Sequence, residues 1–328
     1  MDPANQRRGP TERDELQPVH LRPPRRGDRC RPQGSRRSGC QRPHRLRRAR
    51  QDGGGGRDLS AELLGYRNPK VQHLRRLVGG RPTREEEHAF VVEGTRAVRE
   101  ALGAGVQLHA VFAGPGAPPD VVERASATGA AVHHVEPGVI ERVAPTVTPQ
   151  PLLAVAGQLD VALEALAGAR LLVVAVDVHD PGNLGTVLRS AEAAGVDGVV
   201  CCGSHVDVYN PKTVRAAAGA LFHVPLVVGG DPLEVLQRIG EWGTRRLAAV
   251  ARGGTDHTEV DLRGHLALVL GSEAAGLSEA VLGEGVDDRV TIPMAGRAES
   301  LNVGMAAAVL CFEAARQRRG GEVVAGGS

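Results

Sequence analysis

Short apolar runs alternate with helix-like segments over the C-terminal half of the chain. The runs are continuous, which is typical of strands buried on both faces of a parallel sheet. They predict strands at residues 170–178, 198–203, 224–229, 245–252, 266–271 and 289–294, with helices at 183–195, 210–222, 231–243 and 278–285 and a long final helix. We predict an α/β domain over residues 168–320 with a mostly parallel, layered sheet. Ligands bind such sheets beyond the carboxyl ends of the strands.

A smaller α/β unit is predicted ahead of this domain, over residues 66–157. Its helices are predicted at 68–78, 95–105, 119–129 and 138–144, and its strands at 88–94, 108–114 and 130–136. Prolines in the segment 145–151 interrupt both helix and strand. We therefore expect a linker near residues 157–168.

The first 58 residues differ from the rest of the chain. They are rich in Arg, Pro and Gly and show no apolar periodicity, so they bury too little apolar surface to offset the entropy of ordering. We predict a disordered tail over residues 1–58 and a short one over 321–328. Two interpretations of the longer tail stay open: an RNA-binding arm, or non-functional residues added by an upstream start codon.

The formal net charge of +2 conceals two regions of opposite sign. Residues 1–58 carry 16 Arg against seven Asp and Glu, a net +9, and the remaining 24 basic and 31 acidic residues give −7. A basic balance is therefore no general argument for a nucleic-acid partner. One local cluster is a candidate polyanion footprint: Arg67, Lys70, Arg75, Arg76, Arg81, Arg84, Arg96 and Arg99. A solvated helix face with Glu partners is the alternative.

The five cysteines show no CxxC or metal-ligand spacing, and we predict no metal site. Cys201, Cys202 and Cys311 lie in apolar runs, which fits buried thiols in a reducing compartment. The sequence has no apolar stretch of roughly 18 residues and no apolar signal region at its start. We expect a soluble, cytoplasmic protein without a membrane span.

Three loops of the larger domain carry polar residues at predicted strand ends. In "DPGNLGTVLR", Asn183 stands where a helix N-cap would, and Arg189 follows nearly two turns later. In "LVLGSEAAGLS", Gly271 allows close backbone approach to a ligand and Glu273 follows it. In "IPMAGRAESLNVG", Ser300 is predicted to cap a helix starting at residue 301, which leaves Asn302 unexplained.

Neither common nucleotide fingerprint occurs at these loops. The second loop lacks the GK[ST] of a phosphate loop, and the first strand is followed by "DPGNLG" rather than GxGxxG. These absences argue against a nucleotide-dependent oxidoreductase on a Rossmann sheet.

Together the three loops resemble the signature motifs of the SpoU (TrmH) branch of the SPOUT RNA methyltransferases. That family has an Asn with an Arg six residues later, then "GxExxG", then "IPMxGxxxSLNVxxAxxI". The resemblance covers about residues 66–318, because the smaller unit resembles the family's N-terminal substrate-binding domain. Gly304 stands where the family often has Ser, and residues 1–58 have no counterpart.

The resemblance implies methyl transfer from S-adenosylmethionine to a ribose 2'-hydroxyl in structured RNA, by a homodimer with a deep C-terminal trefoil knot. It assigns the cofactor to Gly271, Ile292 and Leu301, and the catalytic role to Arg189, which completes a partner's site. Orientation of Arg189 and the ribose is assigned to Asn183, Glu273, Ser300 and Asn302. RNA binding by the small α/β domain is expected at Arg67, Lys70, Arg75 and Arg76.

The RNA substrate is less specified than the reaction. Large-subunit (23S) ribosomal RNA is the first expectation, because two-domain members of the family commonly act there, and transfer RNA is the alternative. A catalytically inactive RNA-binding or ribosome-associated protein is the alternative from another class, although every expected motif residue is present.

Overall fold

The computed structural model describes residues 63–322, so the predicted disorder of residues 1–58 and of 323–328 lies outside the described residues. Two sheets organise this part of the chain, and the first has the strand order β1-β4-β2-β3. Its elements are α1 (Pro69–Gly79), α2 (Arg81–Glu87), β1 (Ala89–Glu93), α3 (Thr95–Gly103), β2 (Leu108–Ala113), α4 (Pro119–Ala127), β3 (Ala131–His134), α5 (Val139–Val143) and β4 (Leu152–Gly157).

Strand β4 had no counterpart in the sequence prediction, although it lies inside the predicted domain. It pairs antiparallel with both β1 and β2, so it joins the two halves of the small sheet. Its residues "LLAVAG" follow Pro151 directly, and the preceding prolines gave the segment the look of a linker. The burial of the strand up to its last residue explains its continuous apolar run.

The second sheet has seven strands in the order β7-β6-β5-β10-β8-β11-β9. All six neighbouring pairs are parallel, which confirms the predicted parallel sheet. Its elements are β5 (Leu171–Val176), α6 (Pro181–Ala194), β6 (Gly198–Cys202), α7 (Pro211–Ala216), β7 (Leu226–Val228), α8 (Pro232–Glu241), β8 (Arg245–Ala249), β9 (Thr255–Asp256), β10 (Leu266–Leu270), β11 (Asp288–Thr291) and α9 (Val303–Glu322).

Apolar clusters cover both faces of this sheet. Along β5, Leu171, Val173 and Ala175 contribute to one cluster, whereas the alternating residues contribute to the other. The strand is therefore buried throughout, as its uninterrupted apolar sequence predicted. Cys201, Cys202 and Cys311 are free and buried, and burial raises the pKa of each thiol to about 12.

Several predicted helices are shorter or shifted. The helix predicted over 210–222 ends at Ala216, and Gly219, with φ of 98°, separates it from a 3-10 turn at Ala220–Phe222. The helix predicted over 278–285 is a single π-type turn, Val281–Gly285. The final helix starts two residues later than predicted and extends two residues into the predicted tail.

The two sheets share an apolar boundary. Phe90 of β1 and Tyr209, which precedes α7, pack with ring centroids 4.8 Å apart, and both belong to a cluster that includes β5 and α6. Within residues 63–322, no helix is both long enough and apolar enough to cross a membrane.

Candidate active site

A pocket of about 620 Å³ lies where the three polar loops meet at the carboxyl edge of the large sheet. The loops follow β5, β10 and β11, whose carboxyl ends share this edge because all the strands are parallel. Seven residues that the sequence singled out line the pocket: Asn183, Gly271, Glu273, Ile292, Ser300, Leu301 and Asn302. The fold therefore brings together three motifs that are spread over more than 100 residues of the sequence.

The first loop ends at an N-cap that the sequence prediction misplaced. Asp180 caps α6, and its Oδ1 accepts a hydrogen bond from the backbone N–H of Asn183 at 2.9 Å. Pro181 at the first helical position explains the shift, because proline favours that position directly after a cap. Asn183 lies inside the first turn, so its side chain is available to the neighbouring loops.

Glu273 connects the second loop to the first. Its Oε1 accepts from Asn183 Nδ2 at 2.8 Å and from the backbone N–H of Asp180 at 3.2 Å, and its Oε2 accepts from the N–H of His179 at 3.2 Å. Partial burial disfavours the charged carboxylate, yet these hydrogen bonds outweigh it and lower the pKa of Glu273. The carboxylate therefore stays ionised at neutral pH and holds the loops together.

Asn302 connects the third loop to the other two. Its Nδ2 donates to Asn183 Oδ1 at 2.7 Å, while its own Oδ1 accepts from the backbone N–H of Gly304 at 2.8 Å. The prediction that Ser300 caps the final helix is wrong, since α9 begins at residue 303 and Asn302 provides the capping oxygen. This one amide both starts α9 and ties it to α6.

The rest of the pocket wall is largely apolar. Leu270, Leu277, Ile292, Val303 and Leu310 line it, together with the segment 249–251 that follows β8. At Gly271 the backbone passes so close to the turn after it that a Cβ would lie 2.3 Å from the carbonyl carbon of residue 276. Only glycine fits there without moving the loop.

Arg189 does not line this pocket. Its side chain is exposed on α6, nearly two turns beyond Asn183. Helix α6 itself packs against α9, whose start borders the pocket. The arrangement within one chain thus leaves Arg189 outside the cavity that the other motif residues form.

Four cations predicted to bind RNA lie on or beside α1, and all are exposed: Arg67, Lys70, Arg75 and Arg76. The Arg75 guanidinium lies 5.9 Å from the centroid of the Tyr66 ring, and that of Arg142 lies 5.3 Å from it. Arg84, which belonged to the same sequence cluster, is 3% exposed and pairs with Asp207. It is therefore not part of the exposed basic surface.

Two features of the site escaped the sequence prediction. Asp180, the true cap of α6, had a usable signal in the Asp-Pro pair. The pocket wall formed by Ala249, Val250 and Ala251 had no such signal, because apolar residues at the end of an apolar strand look like a continuation of the strand. Among residues 63–322, no group of three or more His, Cys, Asp or Glu side chains is placed to hold a metal ion.

Comparison with known proteins matches two family models to this chain. Residues 170–312 match the model of the SpoU rRNA Methylase family, and residues 68–154 match that of the MRM3-like substrate binding domain. The chain is 34% identical over 252 residues to the 23S rRNA (guanosine(2553)-2'-O)-methyltransferase RlmP of Bacillus subtilis. The matched region covers 76% of this chain and 98% of that protein.

Solved structures agree with this result. An AdoMet-bound rRNA methyltransferase from Sinorhizobium meliloti is similar with a TM-score of 0.68 and 30% identity, over 76% of this chain and 95% of that one. The SpoU methyltransferase AviRb from Streptomyces viridochromogenes is similar with a TM-score of 0.70 and 30% identity, over 77% of this chain and 99% of that one. The hydrogen-bonded pocket and these similarities lead to one conclusion: the chain belongs to the SpoU family of RNA methyltransferases.

Proposed function

We propose that this protein methylates a ribose 2'-hydroxyl in large-subunit (23S) ribosomal RNA, using S-adenosylmethionine. The observation that carries the proposal is the chain of hydrogen bonds from Glu273 through Asn183 to Asn302, which joins three motif loops around one pocket. The RlmP relative is named for this reaction on 23S rRNA, and it is similar to this chain over nearly its whole length.

The pocket fits S-adenosylmethionine. Its volume of about 620 Å³ is in the range of cofactor sites, and its apolar walls can cover most of a ligand. Close backbone approach at Gly271, together with Ile292 and Leu301, offers backbone groups and apolar contacts to an adenine ring. When bound there, the cofactor supplies an electrophilic methyl group on sulfur.

The protein's task is then to align the attacking oxygen and to make it more nucleophilic. A guanidinium, with a pKa above about 12, is a poor proton acceptor. We assign Arg189 to bind the RNA phosphate or ribose, where its positive charge lowers the pKa of the hydroxyl. Asn183, Glu273, Ser300 and Asn302 orient the ribose and the loops.

Because Arg189 lies outside the pocket of its own chain, we propose that it acts on the pocket of a second copy. Helix α9 carries two exposed apolar side chains, Met305 at 60% and Phe312 at 47% exposure. They are seven residues apart and thus lie on one face of the helix. A second copy of this chain packed on that face would cover them and form a homodimer at the α6–α9 layer.

Hybrid dimers test this arrangement directly. One subunit carries Arg189→Ala and the other Gly271→Val, whose side chain would displace the backbone of residues 276 and 277 and so disrupt the pocket. In a random mixture of the two variants, half of the dimers are hybrids. If Arg189 acts across the dimer, each hybrid has one working site instead of two, so the activity of the mixture is about one quarter of wild type. Activity no higher than the sum of the two separate variants would contradict action across the dimer.

The exposed cations of α1 are proposed to hold the RNA. Arg67, Lys70, Arg75 and Arg76 are on the domain that matches a substrate binding model, and none forms an ion pair with another residue of the described range. Phosphate contacts of this kind set the register of an RNA without reading its sequence. Ribosomal RNA as substrate also supports the proposal that the enzyme acts in the cytoplasm.

We also propose the trefoil knot that the resemblance implies. Two features support it: β11 lies between β8 and β9, and the helix that follows β11 packs against α6, more than 100 residues earlier. An experimental structure whose backbone closes into an unknotted path over residues 63–322 would overturn this part of the proposal.

The substrate is tested by mapping 2'-O-methyl groups in RNA from cells with the gene, without it, and with its Arg189→Ala form. We expect one ribose of large-subunit rRNA to lose its methyl group in the second and third strains. A loss confined to transfer RNA would replace the proposed substrate. No lost methyl group in any RNA would refute the proposed function.

A further inference from the structure

The loop between β6 and α7, residues 203–210, belongs to the catalytic domain and contacts the small α/β domain. Asp207 of this loop pairs with Arg84 of α2: the Nη2–Oδ2 distance is 2.6 Å and the Nε–Oδ2 distance is 2.8 Å. The two side chains are only 3% and 11% exposed. They belong to different domains and lie 123 residues apart in sequence.

Arg84 is fully engaged at this position. Its Nη1 also donates to the backbone carbonyls of Leu77 and Val78, at the end of α1. The backbone carbonyl of Arg84 accepts a hydrogen bond from Gln158 Nε2 at 3.0 Å. Arg84 therefore also contacts the first residue after β4, where the linker starts. A buried ion pair is weak evidence for stability, because well-packed apolar residues often replace one at no loss. Its directional hydrogen bonds do fix the angle of α1 relative to the catalytic domain.

Three further hydrogen bonds of the same loop help to fix this orientation. Tyr209 Oη accepts from the backbone N–H of Leu159 at 2.7 Å and donates to Asp160 Oδ1 at 2.9 Å. Arg81 Nη1 donates to the carbonyl of His205 at 3.2 Å. The loop therefore contacts α2, the start of the linker and the edge of β1 at once.

The same loop is bonded to the turn that begins the active site. The N–H of Val206 donates to the carbonyl of Val178 at 2.9 Å, and that of Ser204 donates to Asp177 Oδ1 at 2.7 Å. Asp177 adopts a left-handed backbone with φ of 54°, a conformation that Asp tolerates better than most residues. The next two residues, 179 and 180, are those whose N–H groups bind Glu273. Hydrogen bonds joined by short backbone segments thus connect α1 to the pocket.

We propose that the Arg84–Asp207 ion pair positions the RNA-gripping helix α1 relative to the pocket, so that a bound ribose meets the methyl donor in register. Both residues are positioning residues, since neither lines the pocket. This inference rests on the proposed function. The exposed cations of α1 bind the RNA, and the buried pair determines where that RNA is delivered.

The test is a double variant that removes both charges, Arg84→Met with Asp207→Asn. Removing both avoids leaving a buried charge without its partner, so we expect the variant to fold, and thermal unfolding checks this. The matched control is Arg246→Met with Asp287→Asn, a bidentate pair that lies wholly within the catalytic domain at the amino ends of β8 and β11. Methyl transfer to large-subunit rRNA is measured under single turnover, alongside RNA affinity, S-adenosylmethionine affinity and thermal unfolding.

We expect the Arg84/Asp207 variant to bind RNA and S-adenosylmethionine within about threefold of wild type while its methyl-transfer rate falls at least about tenfold, because a displacement near 1 Å is enough for such a loss. The control keeps a wild-type rate. Arg84→Lys in a chain that keeps Asp207 retains the charge but not the fork of donors, so it should retain part of the rate that the double variant loses.

An unchanged rate in the folded double variant would overturn the inference. So would an equal fall in the Arg246/Asp287 control, or a loss of cofactor affinity as large as the loss of rate, because either result means a general structural role. If the wild-type protein methylated no RNA, the proposed function itself would be refuted. That result is distinct from the ones above, because the wild type and not only the variant would be inactive.

Discussion

The pocket and the α1 surface use polar side chains in opposite ways. Around the pocket, Glu273, Asn183 and Asn302 bond to one another and to backbone groups, so each has one defined orientation. On α1, Lys70 and Arg76 are exposed and form no ion pair with any residue in the range 63–322. The difference matches two tasks: chemistry requires fixed geometry, whereas holding a polyanion requires only charge at the right place.

The largest effect is expected from breaking the fixed region at its centre. Asn183→Ala removes the donor to Glu273 and the acceptor for Asn302, so all three loops lose their common link. We predict a fall of about 100-fold in methyl-transfer rate, since misplacement of the reacting groups costs that much. Single-turnover kinetics with saturating RNA measure it.

Gln237→Ala is the matched control for Asn183→Ala, because Gln237 is an exposed amide on α8 that lies outside the pocket and outside the proposed α6–α9 dimer layer. It should retain wild-type turnover. If Asn183→Ala lowered RNA affinity and left the methyl-transfer rate unchanged, the pocket residues would bind the substrate as the α1 cations do. The contrast between the pocket and the α1 surface would then be wrong.

The sequence predicts this region well where the signal is local. The apolar runs of β5 and β10 required burial on both faces, so the parallel sheet and its ligand edge followed from them. Asn302 stands out because it opposes helix propensity, and Gly271 because glycine after an apolar strand allows close backbone approach, whereas the roles of the other motif residues come from the resemblance. Asn302 looked like a misfit inside a helix, and it is the residue directly before one.

The sequence fails where a residue's role depends on a distant partner. Arg84 reads as one more cation of a basic cluster, and only contact with Asp207 makes it a buried link between domains. Strand β4 was missed for a local reason instead: its apolar run follows several prolines, which gave the segment the pattern of a linker. Spacing along α6 does not say which way Arg189 faces, and the expectation that it serves a partner's site rests on the resemblance alone.

The next largest effect is expected at Gly271, where the fixed region depends on a missing side chain. In Gly271→Ala the new Cβ would lie 2.5 Å from the backbone nitrogen of Leu277, so the loop must move. We predict that S-adenosylmethionine affinity falls at least about tenfold, as overpacking of a close contact costs roughly 1–3 kcal/mol. Calorimetric titration measures it. Gly283→Ala is the control, because its Cβ would meet no atom within 4 Å, and equal weakening in both variants would contradict the steric argument.

A smaller effect of another kind is expected on the α1 surface. Replacing Arg75 and Arg76 by Gln should weaken RNA binding and reduce the slope of log affinity against log salt by about one for each lost phosphate contact. The methyl-transfer rate at saturating RNA should not change, because the pocket is untouched. Filter binding over a salt series measures the slope.

Arg99→Gln is the control for these two residues, since Arg99 is exposed on the same domain but already pairs with Asp120 at 2.8 Å. Its salt slope should stay near that of wild type. A reduced rate with an unchanged slope in the Arg75/Arg76 variant would mean that these cations fix geometry, as the pocket residues do, and the contrast would disappear.

The smallest effect concerns the charge of Glu273. Its pKa is lowered in the folded protein, with burial opposing ionisation and the hydrogen bonds from Asn183 and the backbone of His179 and Asp180 favouring it. A lowered pKa means that the carboxylate stabilises the folded state above its ordinary pKa of 4.5 and loses that contribution as the pH falls through the lowered value. Because Glu273 is largely exposed, solvent screening limits the effect to less than about 1 kcal/mol. Wild type should therefore unfold at a slightly higher temperature than Glu273→Gln at pH 7, and the gap should close on acidification below pH 4.5. A gap that widened at low pH would show that the neutral acid, rather than the carboxylate, holds the loops, and the fixed region would then owe its geometry to the amides alone.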